Sequence, residues 1–329
     1  MKLQMSGDLR FRLLTLAFLG LLAALARPQT TASRPGFDLL LITDITGSMN
    51  ARDQTLDGRA VARLEFVKHR LRNLLARLPC GSRAGLGIFT ERRSFLLFEP
   101  VETCGSYAAI DGAIASLDWR MAWEGDSRIV SGLDSAIAIA GDLKSSLVFL
   151  TDGQEAPPPP PSGPPPFERK PGEVDGIIVG VGGTVPVPIP RFDDRGHEIG
   201  FVQAADVPHE SRLGPPPADA AAREGWHPRN APFGAIPVAG AEHLTSVREA
   251  YLQGLAQRTG LGYVHLTSTD ALEAALQLHA AGRPIVAAVD LSPIPASLAL
   301  LALLTVYGLL PILERRRHRR PTHPFTARG

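Results

Sequence analysis

The sequence predicts an α/β protein with a doubly wound, mostly parallel sheet, one antiparallel edge hairpin and a C-terminal transmembrane helix. Three observations predict this. Apolar runs at 37–43, 146–153 and 174–182 alternate with stretches of helical period, as expected for strands buried on both faces between covering helices. Two of these runs lead into a carboxylate, Asp44 and Asp152. A 20-residue run without charge, Ile294–Leu313, stands immediately before Glu314 and a cluster of arginines.

Residues 1–26 read as an export signal. Lys2, Arg10 and Arg12 form a basic start, and Leu13–Ala26 is apolar. As a helix this apolar segment spans about 21 Å, short of a hydrocarbon core of about 30 Å. Ala24-Leu25-Ala26 fits the small-x-small cleavage rule. The alternative is an uncleaved anchor lengthened by Phe11. A linker, 27–36, follows.

The main domain is expected over 37–283. Its first strand is Phe37–Thr43. Residues 62–78 then place Leu64, Val67, Leu71, Leu74, Leu75 and Leu78 on one helical stripe. The runs 84–90 and 94–98, joined by Glu91-Arg92-Arg93, form the expected hairpin. If it centres on Arg92, paired positions sum to 184, and so do Cys80 and Cys104. The register brings both thiols to one end, where a disulfide closing about 25 residues contributes roughly 3 kcal/mol. Helices are expected at 107–117, 129–142, 246–260 and 269–280, the last with Thr269 as N-cap. A further strand is expected at 262–268. Two stretches interrupt the pattern. One is a polyproline II-like loop at 156–172. The other, at 184–243, is Pro- and Gly-rich and reads as a long irregular insertion.

The C-terminal run spans about 30 Å as a helix, and the arginines after it form a stop-transfer signal. The tail 314–329 is then cytoplasmic. The expected location is a bacterial inner membrane, with one C-terminal span and the domain in the periplasm. That compartment permits a disulfide. Of the net charge of +1, residues 1–26 carry +2 and 314–329 carry +5, leaving −6 on 27–313. An acidic body offers no electrostatic footprint for nucleic acid.

The chemistry concentrates at strand ends. In an open parallel sheet, ligands bind beyond the carboxyl ends of the strands. Asp44, Thr46 and Ser48 follow the first strand at alternate positions, Asp152 follows a later one, and Ser127 precedes a helix. These oxygen donors, with no Cys or His among them, suit a hard divalent cation, Mg²⁺ or Ca²⁺. Glu124 and Asp126 lie beside Ser127 as accessory carboxylates. Each of Asp44, Thr46 and Ser48 has a simpler reading as a helix cap. Gly125-Asp126-Ser127 also admits a serine-hydrolase reading, but no strand-turn-helix elbow surrounds Ser127 and no His is placed for a triad.

Asp-x-Thr-Gly-Ser-Met at 44–49, Gly-Asp-Ser-x-Ile at 125–129 and Thr-Asp-Gly at 151–153 resemble the von Willebrand factor A domain with its metal-ion-dependent adhesion site. The resemblance implies metal ligation by Asp44, Thr46, Ser48, Ser127 and Asp152, with the hydroxyls nearest the ion and the carboxylates often acting through water. It implies a non-catalytic role in which a partner carboxylate completes the metal's coordination. "RLEFVK", "LPCGSRAGLGIFTERRSFLLF" and "TDGQEAPP" further resemble the membrane-tethered A-domain accessory proteins of bacterial methanol-oxidation clusters, their L proteins above all. That resemblance implies a periplasmic partner, methanol dehydrogenase or another cluster accessory protein, and a role in maturation or Ca²⁺ insertion. The alternative it leaves is a general envelope protein working with a MoxR-type ATPase.

Overall fold

The computed structural model describes residues 2–121, 126–156, 166–193, 195–203 and 243–318. Glu124, most of the polyproline loop and the middle of the insertion lie outside them. The elements are α1 (Lys2–Leu25), β1 (Gln29–Asp44), β2 (Gln54–Leu56), β3 (Arg59–Val61), α2 (Arg63–Arg77), β4 (Arg83–Thr90), β5 (Arg93–Glu102), α3 (Tyr107–Ala115) and α4 (Ile129–Asp142). There follow β6 (Ser146–Thr151), β7 (Gly176–Gly180), β8 (Val187–Pro188), β9 (Pro190–Phe192), β10 (Glu198–Phe201), β11 (Leu244–Thr245), α5 (Glu249–Thr259), β12 (Gly262–His265), α6 (Thr269–His279), β13 (Gly282–Asp290), α7 (Pro293–Leu304) and α8 (Leu310–His318). They form two compact units, 35–285 and the paired termini 1–34 with 286–329.

In the larger unit the sheet order is β12-β7-β6-β1-β4-β5, with β13 also pairing to β1. β1 runs parallel to β4 and β6, β6 to β7, and β7 to β12; β5 is antiparallel to β4. The pleat of β1 divides the core. Leu39 and Leu41 face α2, α3 and α6 with Leu71, Leu74, Ile114 and Leu276. Leu40 and Ile42 face α4 and α5 with Leu133, Ile137, Leu252 and Leu255. Such strands are apolar at every position because both faces are covered. The chain passes from β1 to β4 on one side and later returns to β6 on the other. The sheet therefore reverses direction between β1 and β6, and the crevice at their carboxyl ends lies between Asp44 and Asp152.

Several local expectations need correction. The β4–β5 pairing does not keep one register. Leu86 lies opposite Phe98, but shifts on either side pair Ala84 with Val101 and Gly87 with Leu96. Gly85 and Gly87 explain the irregularity: a Cβ on either would fall 3.0 Å or less from the backbone of β5. The Cys80–Cys104 disulfide nonetheless forms, with Cα atoms 5.3 Å apart. We expect its reduction to lower the unfolding free energy by about 3 kcal/mol, read as a lower urea midpoint in dithiothreitol. The cap of α6 is Ser268, whose Oγ accepts the Ala271 N–H at 3.1 Å; Thr269 is the first helical residue. The insertion is not wholly irregular, since β8 pairs with β11 and β9 with β10.

In the smaller unit, the residues read as an export signal form α1, which packs on α7. Ala17, Ala299 and Ala302 are buried together. A Cβ on Gly20 would sit 2.9 Å from the Pro295 carbonyl, so the glycine allows the close approach. Arg10 Nη2 meets Glu314 Oε2 at 2.6 Å. Pro293–Arg315 forms a helix of 23 residues, long and apolar enough to cross a membrane.

Candidate metal centre

β1 delivers Asp44 to the crevice fully buried. After it the chain extends at Thr46 (φ −66°, ψ 166°) and enters a 3₁₀ turn, Gly47–Asn50. Extension followed by the tight turn keeps Asp44, Thr46 and Ser48 on one side. Asp44 Oδ1 accepts the Thr46 N–H at 2.8 Å and the Thr46 hydroxyl at 2.7 Å. Thr46 Oγ1 lies 3.5 Å from Ser48 Oγ. Thr46 thus turns its hydroxyl to the carboxylate and makes no side-chain cap bond to the 3₁₀ turn. Asp44 Oδ2 accepts the hydroxyl of Thr151, the last residue of β6, at 2.6 Å.

Asp152 follows Thr151 and is also fully buried. Its Oδ1 accepts the Gln154 N–H at 2.9 Å. Burial, and then the charge of Asp152, push the Asp44 carboxyl up to about 7; hydrogen bonds from Thr151 and Thr46 act the other way. A buried carboxyl pushed up in this way favours a positive charge beside it.

Ser127 reaches the same edge by backbone pairing. Its N–H donates to the Ala156 carbonyl at 2.7 Å, and its carbonyl accepts from Ala156 N–H at 2.9 Å. It also bridges to Glu91, which follows β4. These contacts place it between the loops after β4 and β6. Glu155 fixes the start of α4 just beyond it, accepting the N–H groups of Ile129 at 3.1 Å and Val130 at 3.2 Å and the Tyr251 hydroxyl at 2.6 Å. Burial pushes the Glu155 carboxyl up, while those three donors act against it. A carboxylate at a helix N-terminus is favoured by the exposed N–H groups there.

Asp126 does not join the set. It is buried, and Arg92 from the hairpin turn donates to its Oδ2 through Nη2 at 2.8 Å and Nε at 3.2 Å. Its charge is already balanced.

The donor set fits a hard divalent cation. Thr46, Ser48 and Ser127 are nearly as buried as the two carboxylates. Ser127 Oγ has no hydrogen-bond partner among the described residues. A buried hydroxyl without a partner is costly, and a cation at this edge would supply one. No imidazole among the described residues contacts it to serve as a base.

Sequence reasoning passed over three residues that shape this site. Thr151 and Glu155 lie in the strand-end run "LVFLTDGQE". Arg63 opens α2 outside its apolar stripe, yet it is fully buried and its Nη1 donates to Asp152 Oδ2 at 2.6 Å. A signal was present. A cation in the first turn of a helix opposes the helix dipole, so an arginine opening α2 needs a carboxylate nearby.

No curated protein matches the chain. Solved structures that align with it include an aerotolerance-related membrane protein from Bacteroides fragilis, at 17% identity and TM-score 0.45 over 74% of this chain and 98% of that one. BatB from Bacteroides thetaiotaomicron aligns at 16% identity and TM-score 0.45, over 74% and 98%. A von Willebrand factor type A protein from Catenulispora acidiphila aligns at 18% identity and TM-score 0.33, over 46% and 34%. Residues 39–154 match the family model of the von Willebrand factor type A domain, a segment that contains Asp44, Thr46, Ser48, Ser127 and Asp152.

Proposed function

We propose that the chain is a membrane-anchored, non-catalytic binding module that engages a protein partner through a divalent cation. The observation that supports this reading is the placement of two buried carboxylates and three buried hydroxyls in loops at one edge of the sheet, with Ser127 Oγ lacking a hydrogen-bond partner among the described residues. Asp44, Thr46, Ser48, Ser127 and Asp152 hold the ion, either Mg²⁺ or Ca²⁺. When bound, the ion supplies an acceptor for one carboxylate of the partner. The protein's own task is to orient five oxygens and to keep the site dry, which strengthens a charge-assisted contact. The C-terminal helix tethers the domain to a membrane, and the arginines after it favour a periplasmic domain.

On the sequence resemblance alone, the partner is the periplasmic methanol dehydrogenase or another protein of its cluster. The role is then maturation or Ca²⁺ supply. General envelope assembly with a MoxR-type ATPase is the competing client class, and absence of a quinoprotein dehydrogenase gene nearby would favour it. Affinity capture tests the mechanism. With Mg²⁺ or Ca²⁺ the wild type should recover a partner that Asp44→Ala and chelator-treated wild type do not. Recovery of the same partners in all three cases contradicts the metal bridge.

A further inference from the structure

Arg63 lies outside the five-oxygen set yet grips one member of it. All five of its N–H donors are engaged. Nε donates to Asp53 Oδ1 and Oδ2 at 3.0 Å each, and Nη2 to Asp53 Oδ2 at 2.5 Å and to the Thr245 carbonyl at 3.2 Å. Nη1 donates to Asp152 Oδ2 at 2.6 Å and to Thr245 Oγ1 at 2.8 Å. The Thr245 hydroxyl in turn donates to Asp152 Oδ2 at 3.1 Å.

These partners sit at both roots of the 184–243 insertion. Gly183, just before it, donates its N–H to Asp53 Oδ2 at 2.8 Å. Thr245 lies just after it. The roots are also tied to each other, since Val247 N–H donates to the Gly183 carbonyl at 2.9 Å. Gly182, at φ +117°, runs against the guanidinium: a Cβ there would fall 2.6 Å from Nε. One buried cation therefore joins a candidate metal ligand to both roots of the 184–243 insertion.

We propose that Arg63 is a positioning residue that couples cation occupancy at Asp152 to the conformation of the insertion's roots, Gly183 and Thr245. This rests on the metal reading above. The physical basis is a shared carboxylate. Any cation held with Asp152 draws on the group that Arg63 and Thr245 orient, and the rigid guanidinium fork cannot follow it without shifting Asp53 or Thr245. Coupling of this kind is reciprocal, so loosening the roots weakens cation binding. The insertion's roots then report whether the site is loaded.

The test uses the full chain in detergent, with Mg²⁺ and Ca²⁺ as separate probes. Asp53→Ala removes the link to Gly183 but leaves the five candidate ligands and the Arg63–Asp152 pair. Cation affinity is measured by calorimetry, and hydrogen exchange is followed in peptides covering 182–184 and 244–248. In the wild type, saturating cation should slow exchange in both peptides. Asp53→Ala should still bind one ion, with its Kd raised roughly five- to tenfold, and its root peptides should no longer respond. Arg63→Lys keeps the charge but cannot supply the five N–H donors, and should lose the response too if Asp53→Ala fails to fold. A root response preserved in the variants shows a merely structural role and overturns the proposal. A wild type that binds cation with unchanged root exchange overturns the coupling alone; a wild type that binds none overturns the metal reading as well.

Discussion

Replacing Arg63 with Met should lower the unfolding free energy of residues 35–285 by about 3–5 kcal/mol, the usual cost of removing one partner from a buried ion network. The side chains of Arg63 and Asp152 are both 0% exposed and that of Asp53 is 6% exposed. Methionine fills most of the volume, so the loss is chiefly electrostatic: Asp53 and Asp152 remain buried without their cation. The Arg72–Asp111 pair provides the control. Its arginine side chain is 47% exposed, solvent screens the pair, and Arg72→Met should leave the urea midpoint unchanged within error. Equal effects of the two substitutions would contradict the buried network.

The second large effect is a pH dependence that bound metal suppresses. Asp44 has an ordinary value of 3.8 and is pushed up to about 7 in the folded domain. Between these values the folded protein holds a proton that the unfolded chain has released. Raising the pH through this window therefore lowers stability, by at most about 1.4 kcal/mol per pH unit and about 4 kcal/mol in all. In chelator, wild-type 35–285 should have a lower urea midpoint at pH 8 than at pH 5. Asp44→Asn carries no such charge. It should be more stable than the wild type at pH 8 in chelator and should gain nothing from added Mg²⁺ or Ca²⁺. Saturating cation should remove most of the wild type's loss, since it takes the place of the proton. A chelated wild type with the same slope as Asp44→Asn would show that the Asp44 charge is not the source.

The fold was legible wherever burial is symmetric. β1, β6 and β7 are covered on both faces, so they read as continuous apolar runs, and α2 and α4 showed their stripes because each packs one face only. The crevice could be located because Asp44 and Asp152 end two of those strands. Asp44, Thr46 and Ser48 stood out through their alternate spacing. What escaped depends on partners distant in the chain. Nothing near Arg63 in sequence shows that Asp152 and Thr245 lie against it. Asp126 read as an accessory carboxylate because Arg92, which pairs with it, belongs to the hairpin turn 34 residues earlier. The two-residue strands β8 and β11 are too short to alternate, and β8 contains a proline, so their pairing carries no periodic signal. The slipped register of β4 and β5 follows from close backbone approach at two glycines, which the apolar pattern alone does not encode.

The most direct test of the central claim is a count of bound ions. The full chain, purified in detergent, is equilibrated with Mg²⁺ or Ca²⁺, dialysed, and assayed for metal per polypeptide. One ion per wild-type chain, and none in an Asp44→Ala/Ser127→Ala variant whose apo fold is retained by circular dichroism, is the predicted result. Equal metal content in wild type and variant, or none in the wild type, would contradict it.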